Sequence, residues 1–202
     1  MERRDQKEPQ EARLAIEALI DGEEGAPLAA RWLETPLGPM LAVADRAGLH
    51  ALGFPDGKGL AREVAALKAG IGPITLAPSA ILDQTEEELD AYFARRSLEF
   101  RTPVVQHGSA FQQSVWTALM AIPAGQTAAY GELARAVNQP AATRAVAAAN
   151  GRNAVAIIVP CHRVIGADGS LTGYGGQLWR KTWLLEHEAR ATGQERQAEL
   201  AL

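Results

Sequence analysis

The sequence predicts an α+β chain in two parts: a small antiparallel sheet with helices over 28–97, and a mostly helical winged helix-turn-helix domain over 109–190. Three observations predict it. Short apolar runs separated by turn residues fill the first part, as strands joined by tight connections do. Apolar residues recurring every three or four positions, between capping and breaking residues, fill the second. Neither pattern extends through 98–108, read as a linker, or through the polar ends 1–27 and 191–202, read as tails.

Residues 1–27 are rich in Glu, Arg and Gln. A weak helical pattern through Leu14, Ile16 and Leu19 precedes Asp21-Gly22-Glu23-Glu24-Gly25, so a mobile tail or a loosely docked helix is expected. Leu28–Leu33 is expected as a strand ending at the turn Thr35-Pro36-Leu37-Gly38-Pro39. Met40–Ala44 and Leu49–Phe54 flank Asp45-Arg46-Ala47-Gly48, a four-residue hairpin connection. Helices follow over about 58–69 and 79–96, the second with Ser79 as N-cap and Ile81, Leu82, Thr85, Leu89, Tyr92 and Phe93 on one face.

Ser109-Ala110-Phe111-Gln112 is a capping box, in which the Ser hydroxyl and the Gln amide satisfy each other's backbone donors. Phe111, Val115, Leu119 and Ile122 then keep helical spacing until Pro123-Ala124-Gly125. A second helix, capped by Thr127, carries Tyr130, Leu133, Ala134 and Val137 and breaks at Asn138-Gln139-Pro140. An alanine-rich third helix runs from about 141 to the C-cap pair Asn150-Gly151. The tight turn between the last two gives the helix-turn-helix pattern. The apolar run 154–159 is read as a buried strand, Arg163-Val164-Ile165 and Ala167-Asp168-Gly169-Ser170 as a return strand and turn, and about 177–190 as a final helix. Trp179 and Trp183 on that helix are expected in the core.

No apolar run approaches the ~20 residues of a membrane helix, and the charged start Met1-Glu2-Arg3-Arg4-Asp5 is unlike a secretory signal. The single cysteine excludes an internal disulfide and any zinc site needing two thiolates; a cytoplasmic protein without metal or cofactor is expected. The net charge is −4, yet 111–181 holds Arg135, Arg144, Arg152, Arg163, Arg180 and Lys181 against Glu132 and Asp168 alone. A basic segment inside an acidic chain suits a local contact with a polyanion.

The chemistry centres on Pro160-Cys161-His162-Arg163-Val164. Cysteine attacks as thiolate, scarce at neutral pH without a base, and His162 is the adjacent base. Neighbours on a regular strand face opposite ways. Pro160, lacking a donor and fixing φ, lets the chain leave strand geometry so that both side chains can cooperate, directly or through a water. A third group must set the histidine tautomer, and Glu188 on the last helix is the best placed candidate.

This motif, with Ala154–Val159 before it and Gly173-Tyr174-Gly175-Gly176 and Trp183–Glu188 after it, resembles the methylated-DNA–protein-cysteine methyltransferase family. So do Phe111-Gln112-Gln113-Ser114-Val115-Trp116, Tyr130-Gly131-Glu132-Leu133-Ala134 and Arg144-Ala145-Val146. The resemblance is close over 109–190 and looser over 28–108, where it implies a ribonuclease H-like N-terminal domain.

It implies a DNA repair protein that flips O6-alkylguanine out of double-stranded DNA and moves the alkyl group irreversibly to Cys161, with O4-alkylthymine as a second candidate lesion. It implies Cys161 as acceptor, His162 as water-bridged base, Glu188 (not Glu186) as the acid orienting it, and Asn153 as brace of the turn before the active-site segment. Tyr130 would crowd the target phosphate and help protonate the departing guanine, and Arg144 would fill the vacated stack. The small neighbours Ala142, Thr143, Ala145 and Ala147 would let the helix approach a minor groove. Val164, Tyr174 and Gly175 would line the guanine pocket. Many relatives carry a residue and then two glycines after the pocket tyrosine, where this chain reads Gly175-Gly176-Gln177; Gly175 is expected to loosen the loop and admit larger alkyl groups. A monomer acting once is expected. The rivals are a lesion-binding protein of the alkyltransferase-like type, against which the presence of Cys161 counts, and a Cys-His-Glu hydrolase.

Overall fold

In the computed structural model, which describes residues 7–194, the chain divides into two compact units, Met1–Gln106 and His107–Leu202. Residues 1–6 and 195–202 of the expected tails lie outside the described residues. Among the described residues no helix is long and apolar enough to cross a membrane.

The first unit opens with helix α1, Lys7–Glu17, in the segment expected as a tail or loosely docked helix. Ile16 is fully buried in the core, with Leu19 and Ile20 packed against it. The following residues are fastened as well: Asp21 N donates to Ile74 O at 2.8 Å, and the Asp21 carboxylate pairs with Lys68.

Strands β1 (Leu28–Leu33), β2 (Met40–Ala44) and β3 (Leu49–Gly53) form an antiparallel meander. Asp45 Oδ1 accepts from the amides of Ala47 (2.7 Å) and Gly48 (3.2 Å), which closes the expected hairpin. Residues 103–105, from the segment expected as a linker, run beside β3: Leu49 N donates to Pro103 O and Val105 N to Leu49 O. Helix α2 (Leu60–Gly70) leads to β4 (Ile74–Leu76), which the sequence reading missed. It pairs parallel to β1, giving the order β3-β2-β1-β4.

Side chains alternate across the sheet. Leu28, Ala30, Leu41, Val43, Ala51 and Ile74 meet Ile16 and the α2 residues Leu60, Val64 and Leu67. Helix α3 (Ala80–Phe93) covers the other face with Leu82, Thr85, Leu89 and Tyr92; Arg31 of β1 reaches its Asp83 and Glu86 at 2.7 and 2.8 Å. Burying a Leu this way stabilises by about 1.5–3 kcal/mol. Ser79 is the N-cap residue, but its side chain makes no capping bond.

In the second unit, α4 (Ala110–Met120) begins with the expected capping box: Ser109 N donates to Gln112 Oε1 (2.9 Å) and Gln112 N to Ser109 Oγ (3.3 Å). The two-residue strand β5 (Ala128–Ala129) precedes α5 (Tyr130–Ala136). The N-cap is Ala129, not Thr127, and its side chain makes no capping bond; Glu132 reaches back to accept from Ala129 N at 2.7 Å. Helix α6 (Thr143–Asn150) turns Val146, Ala149 and Asn150 inward, and Trp116 Nε1 of α4 donates to Ala149 O at 2.9 Å. Gly151 is the C-cap, as expected, and its φ of −71° keeps it in the right-handed region.

The largest departure is 154–159. The run is buried at Val155, Ile157, Ile158 and Val159, but it is a chain of turns, not a strand. Asn153 supplies the reason. Its Nδ2 donates to Val155 O (3.2 Å) and Val159 O (2.8 Å) and its Oδ1 accepts from Val155 N (3.0 Å), so local bonds satisfy backbone groups that a ladder would otherwise need. The expected wing is reduced to β6 (Val164–Ile165), parallel to β5, and a turn in which Gly166 N donates to Ser170 O. Helix α7 (Leu178–Thr192) closes the unit. Its Trp179 is 50% exposed, which corrects the expected core placement; Trp183 is half-buried and stacks on His187.

Candidate active site

Two tight turns deliver Cys161. Ile158 N donates to Ala156 O around Ile157, a β-branched residue held at φ 70°, and Cys161 N donates to Val159 O around Pro160. Turns this tight with positive φ are strained. The Asn153 bonds and the surrounding packing hold them in place. The chain then makes one 3-10 turn, Cys161–Arg163, which sends successive side chains in different directions from those of a strand.

The Cys161 sulfur sits buried, with Asn153 Nδ2 donating to it at 3.1 Å. At the next residue, His162 Nε2 lies 2.9 Å from Glu188 Oε1, both side chains fully inaccessible. Because a carboxylate accepts, Nε2 carries the proton, and Nδ1 is left as the free lone pair. That Nδ1 is buried and has no hydrogen-bond partner among the described residues. The Glu188 carboxylate is saturated: Oε1 also accepts from Arg163 NH2 (2.9 Å), and Oε2 from Arg163 Nε (2.9 Å) and Gly125 N (3.1 Å). Arg163 NH1 donates to Ile122 O at 2.6 Å, tying the cluster to the turn that ends α4. Gly125 has φ 78°, and a Cβ there would collide with Thr192 Oγ1, so this position requires glycine.

Burial pushes the Cys161 thiol above its ordinary value, opposed by the Asn153 bond and by the Lys181 charge. Burial also lowers His162, against the pull of Glu188. Glu188 is held far below the carboxylate range: its bonds to His162 and Arg163 outweigh the desolvation that would raise it. The resting cluster is therefore a protonated thiol, a neutral imidazole and an ion pair.

The family model described as 6-O-methylguanine DNA methyltransferase, DNA binding domain, matches residues 110–190. The methylated-DNA–protein-cysteine methyltransferase of Methanosarcina acetivorans is 42% identical over 155 residues, 77% of this chain and 94% of that one. The corresponding Mycobacterium leprae protein is 58% identical over 101 residues, covering 50% of this chain and 61% of that protein. The chain belongs to the methylated-DNA–protein-cysteine methyltransferase family. Among solved structures, Mycobacterium tuberculosis OGT in complex with DNA is similar at TM-score 0.70 and 41% identity, covering 81% of this chain and 94% of that one.

In this methyltransferase-family chain the other expected site residues fall at two places. Tyr130 begins α5; its hydroxyl donates to Thr172 O at 3.4 Å and burial raises its pKa. Beside it, a Cβ at Gly173 would lie 3.1 Å from that hydroxyl, so the 173–176 loop passes close to Tyr130. Val164 and Tyr174 are buried, the Tyr174 hydroxyl without a partner among the described residues, and Gly175 is half-buried. Thr143, Arg144 and Ala145 form the exposed first turn of α6.

Three participants escaped the sequence reading. Lys181 is fully buried, its ammonium donating to Val164 O (2.6 Å) and Thr172 O (2.7 Å) and so joining both ends of 164–172. It sits three and seven residues before the buried Leu184 and Glu188, and a lysine in the core register of a helix is the signal that could have found it. Arg163 was read only as part of the motif, and Gly125 only as a breaker. Among the described residues no group of three or more His, Cys, Asp or Glu could hold a metal.

A pH dependence follows. His162 and Glu188 both have folded pKa values below their ordinary 6.5 and 4.5, so each binds fewer protons folded than unfolded. Stability then rises with pH: their contribution is complete above 6.5, begins to be lost as pH falls below it, and is lost further below 4.5. Urea midpoints should fall on acidification from pH 7 to 4. Midpoints that hold or rise over that range would contradict this.

Proposed function

We propose that this chain repairs double-stranded DNA by transferring an alkyl group from O6 of a flipped guanine to Cys161 Sγ, once per molecule. What supports the reading most is the buried His162–Glu188 pair beside the chain's single cysteine, which leaves one imidazole nitrogen as an acceptor.

The thiol proton passes to His162, directly or through a water, and Glu188 stabilises the imidazolium. As thiolate forms, Asn153 Nδ2 and the Lys181 charge favour it. The sulfur attacks the alkyl carbon in line; the C–O6 bond breaks and a C–S bond forms. Tyr130 donates its hydroxyl proton to the departing guanine and regains one from solvent, so the thiol proton is replaced, in net terms, on the base. The thioether has no route back, so the protein is consumed. With His162 as base and its pKa lowered by burial, the single-turnover rate should stay flat down through pH 6.5 and fall only at lower pH, where the imidazole takes a proton.

Flipping costs a few kcal/mol, which Arg144 offsets by entering the stack while the small residues around it let α6 approach the groove. Arg144→Ala should slow transfer from duplex DNA by roughly 10–100-fold and leave transfer from the free base O6-benzylguanine unchanged. Equal slowing of both would remove Arg144 from this role.

The test is to mix the protein with an O6-methylguanine duplex and weigh its tryptic peptides. A methyl group on the Cys161 peptide, one per protein, is expected. Tight binding without adduct indicates a lesion-binding protein instead, and sustained turnover of an ester without effect on DNA indicates a hydrolase.

A further inference from the structure

The pocket loop runs into α7 through Gln177, which has φ 74° and ψ 144°. That backbone region is essentially reserved for glycine, and another residue stays there only when its surroundings hold it. Here they do so from the surface side. Trp179 Nε1 donates to Gln177 Oε1 at 3.0 Å, and the Arg180 guanidinium lies over the Trp179 ring at 4.6 Å. Arg180 NH1 also donates to Gly176 O at 3.2 Å, while Gln177 N donates to Tyr174 O at 3.3 Å. Trp179 is half exposed, so burial alone does not fix its ring.

We infer that Gln177, Trp179 and Arg180 form a clasp that fixes the 173–176 loop and makes this chain discriminate against bulky O6-alkyl groups. The inference rests on the repair reading above, in which this loop borders the alkylated base. Gly175-Gly176 would leave the loop pliable by themselves. Gln177 reverses that: its strained backbone has one arrangement that satisfies both neighbours, so the loop is held in one shape. The looseness expected from Gly175 is thereby opposed two residues later. Cutting the clasp frees Gln177 to return to an ordinary φ, which moves Gly176 and, through it, Tyr174.

Trp179→Phe keeps an aromatic ring for Arg180 and removes the indole N–H that holds Gln177. Gln177→Gly removes both the strain and the latch. Single-turnover rates on duplexes carrying O6-methylguanine or O6-benzylguanine give a benzyl-to-methyl ratio for each protein. Both variants should raise that ratio about tenfold, with methyl transfer within about threefold of the parent. Hydrogen exchange at amides 173–177 should accelerate in Trp179→Phe. Gln177→Gly should melt higher despite its lost discrimination, the mark of strain kept for function. Unchanged ratios or unchanged exchange in both variants overturns the clasp. A parent protein that transfers neither group overturns the repair reading itself, a failure seen before any variant is made.

Discussion

Glu188→Gln should destabilise the protein by about 3–5 kcal/mol and slow alkyl transfer by roughly 10³–10⁴-fold. Four donors converge on the two Glu188 oxygens: His162 Nε2, two nitrogens of Arg163, and Gly125 N. A glutamine offers one oxygen and an NH2 group, so its amide must face a donor whichever way it turns. Arg163, 7% exposed, loses its counter-charge. Removing one partner of a buried pair costs more than the pair contributed, because the other charge stays in place without compensation. The rate loss has a separate cause. If the amide donates to His162 Nε2, the imidazole proton moves to Nδ1, and the lone pair needed to take the thiol proton is gone. Urea unfolding measures the first effect, and single-turnover transfer at a temperature where the variant is folded measures the second. A stability loss under about 1 kcal/mol would show that the carboxylate is not the anchor described here.

Asn153→Ala should cost about 2–4 kcal/mol and reduce transfer roughly 100-fold. Its side chain holds three backbone groups of 155–159 and also donates to the Cys161 sulfur. Without it, the Val155 amide loses its acceptor, the Val155 and Val159 carbonyls are left with only their backbone donors, and the strained φ of Ile157 is no longer enforced. Asn153→Asp sharpens the test. It keeps the acceptor for Val155 N but sets a negative charge against two carbonyls and the sulfur, so it should lose more activity than Ala. If Asp is the milder variant, the Asn153 N–H is not what favours thiolate.

The elements that were legible in the sequence are those set by local chemistry. Ser109 and Gln112 announce their capping box in four residues, and the hairpin at Asp45–Gly48 lies in its turn residues. The grouping of Cys161, His162, Asn153 and Glu188 followed from the resemblance together with the need for a base and its partner, and the fold places these residues together. What could not be read depended on tertiary partners. The apolar run 154–159 has the composition of a strand, but Asn153 satisfies its backbone and Pro160 ends it, so turns replace a ladder. β4 spans three residues, too few for alternation to register, and it forms because β1 offers an edge. Lys181 looked like one more charge on a helix; its ammonium is buried because two carbonyls receive it. The docking of α1 rests on Ile16, with Leu19 and Ile20 just beyond the helix, while its Leu14 is exposed, so periodicity could not pick out the buried positions.

The most direct test of the account is a duplex whose O6-methylguanine carries a 13C-labelled methyl group, mixed with a slight excess of protein and followed by carbon NMR. The methyl resonance should leave the oxygen-bound range and appear in the sulfur-bound range at one per protein, with no transfer in Cys161→Ser. A methyl signal that stays on oxygen, or emerges as methanol in multiples of the protein present, would contradict it.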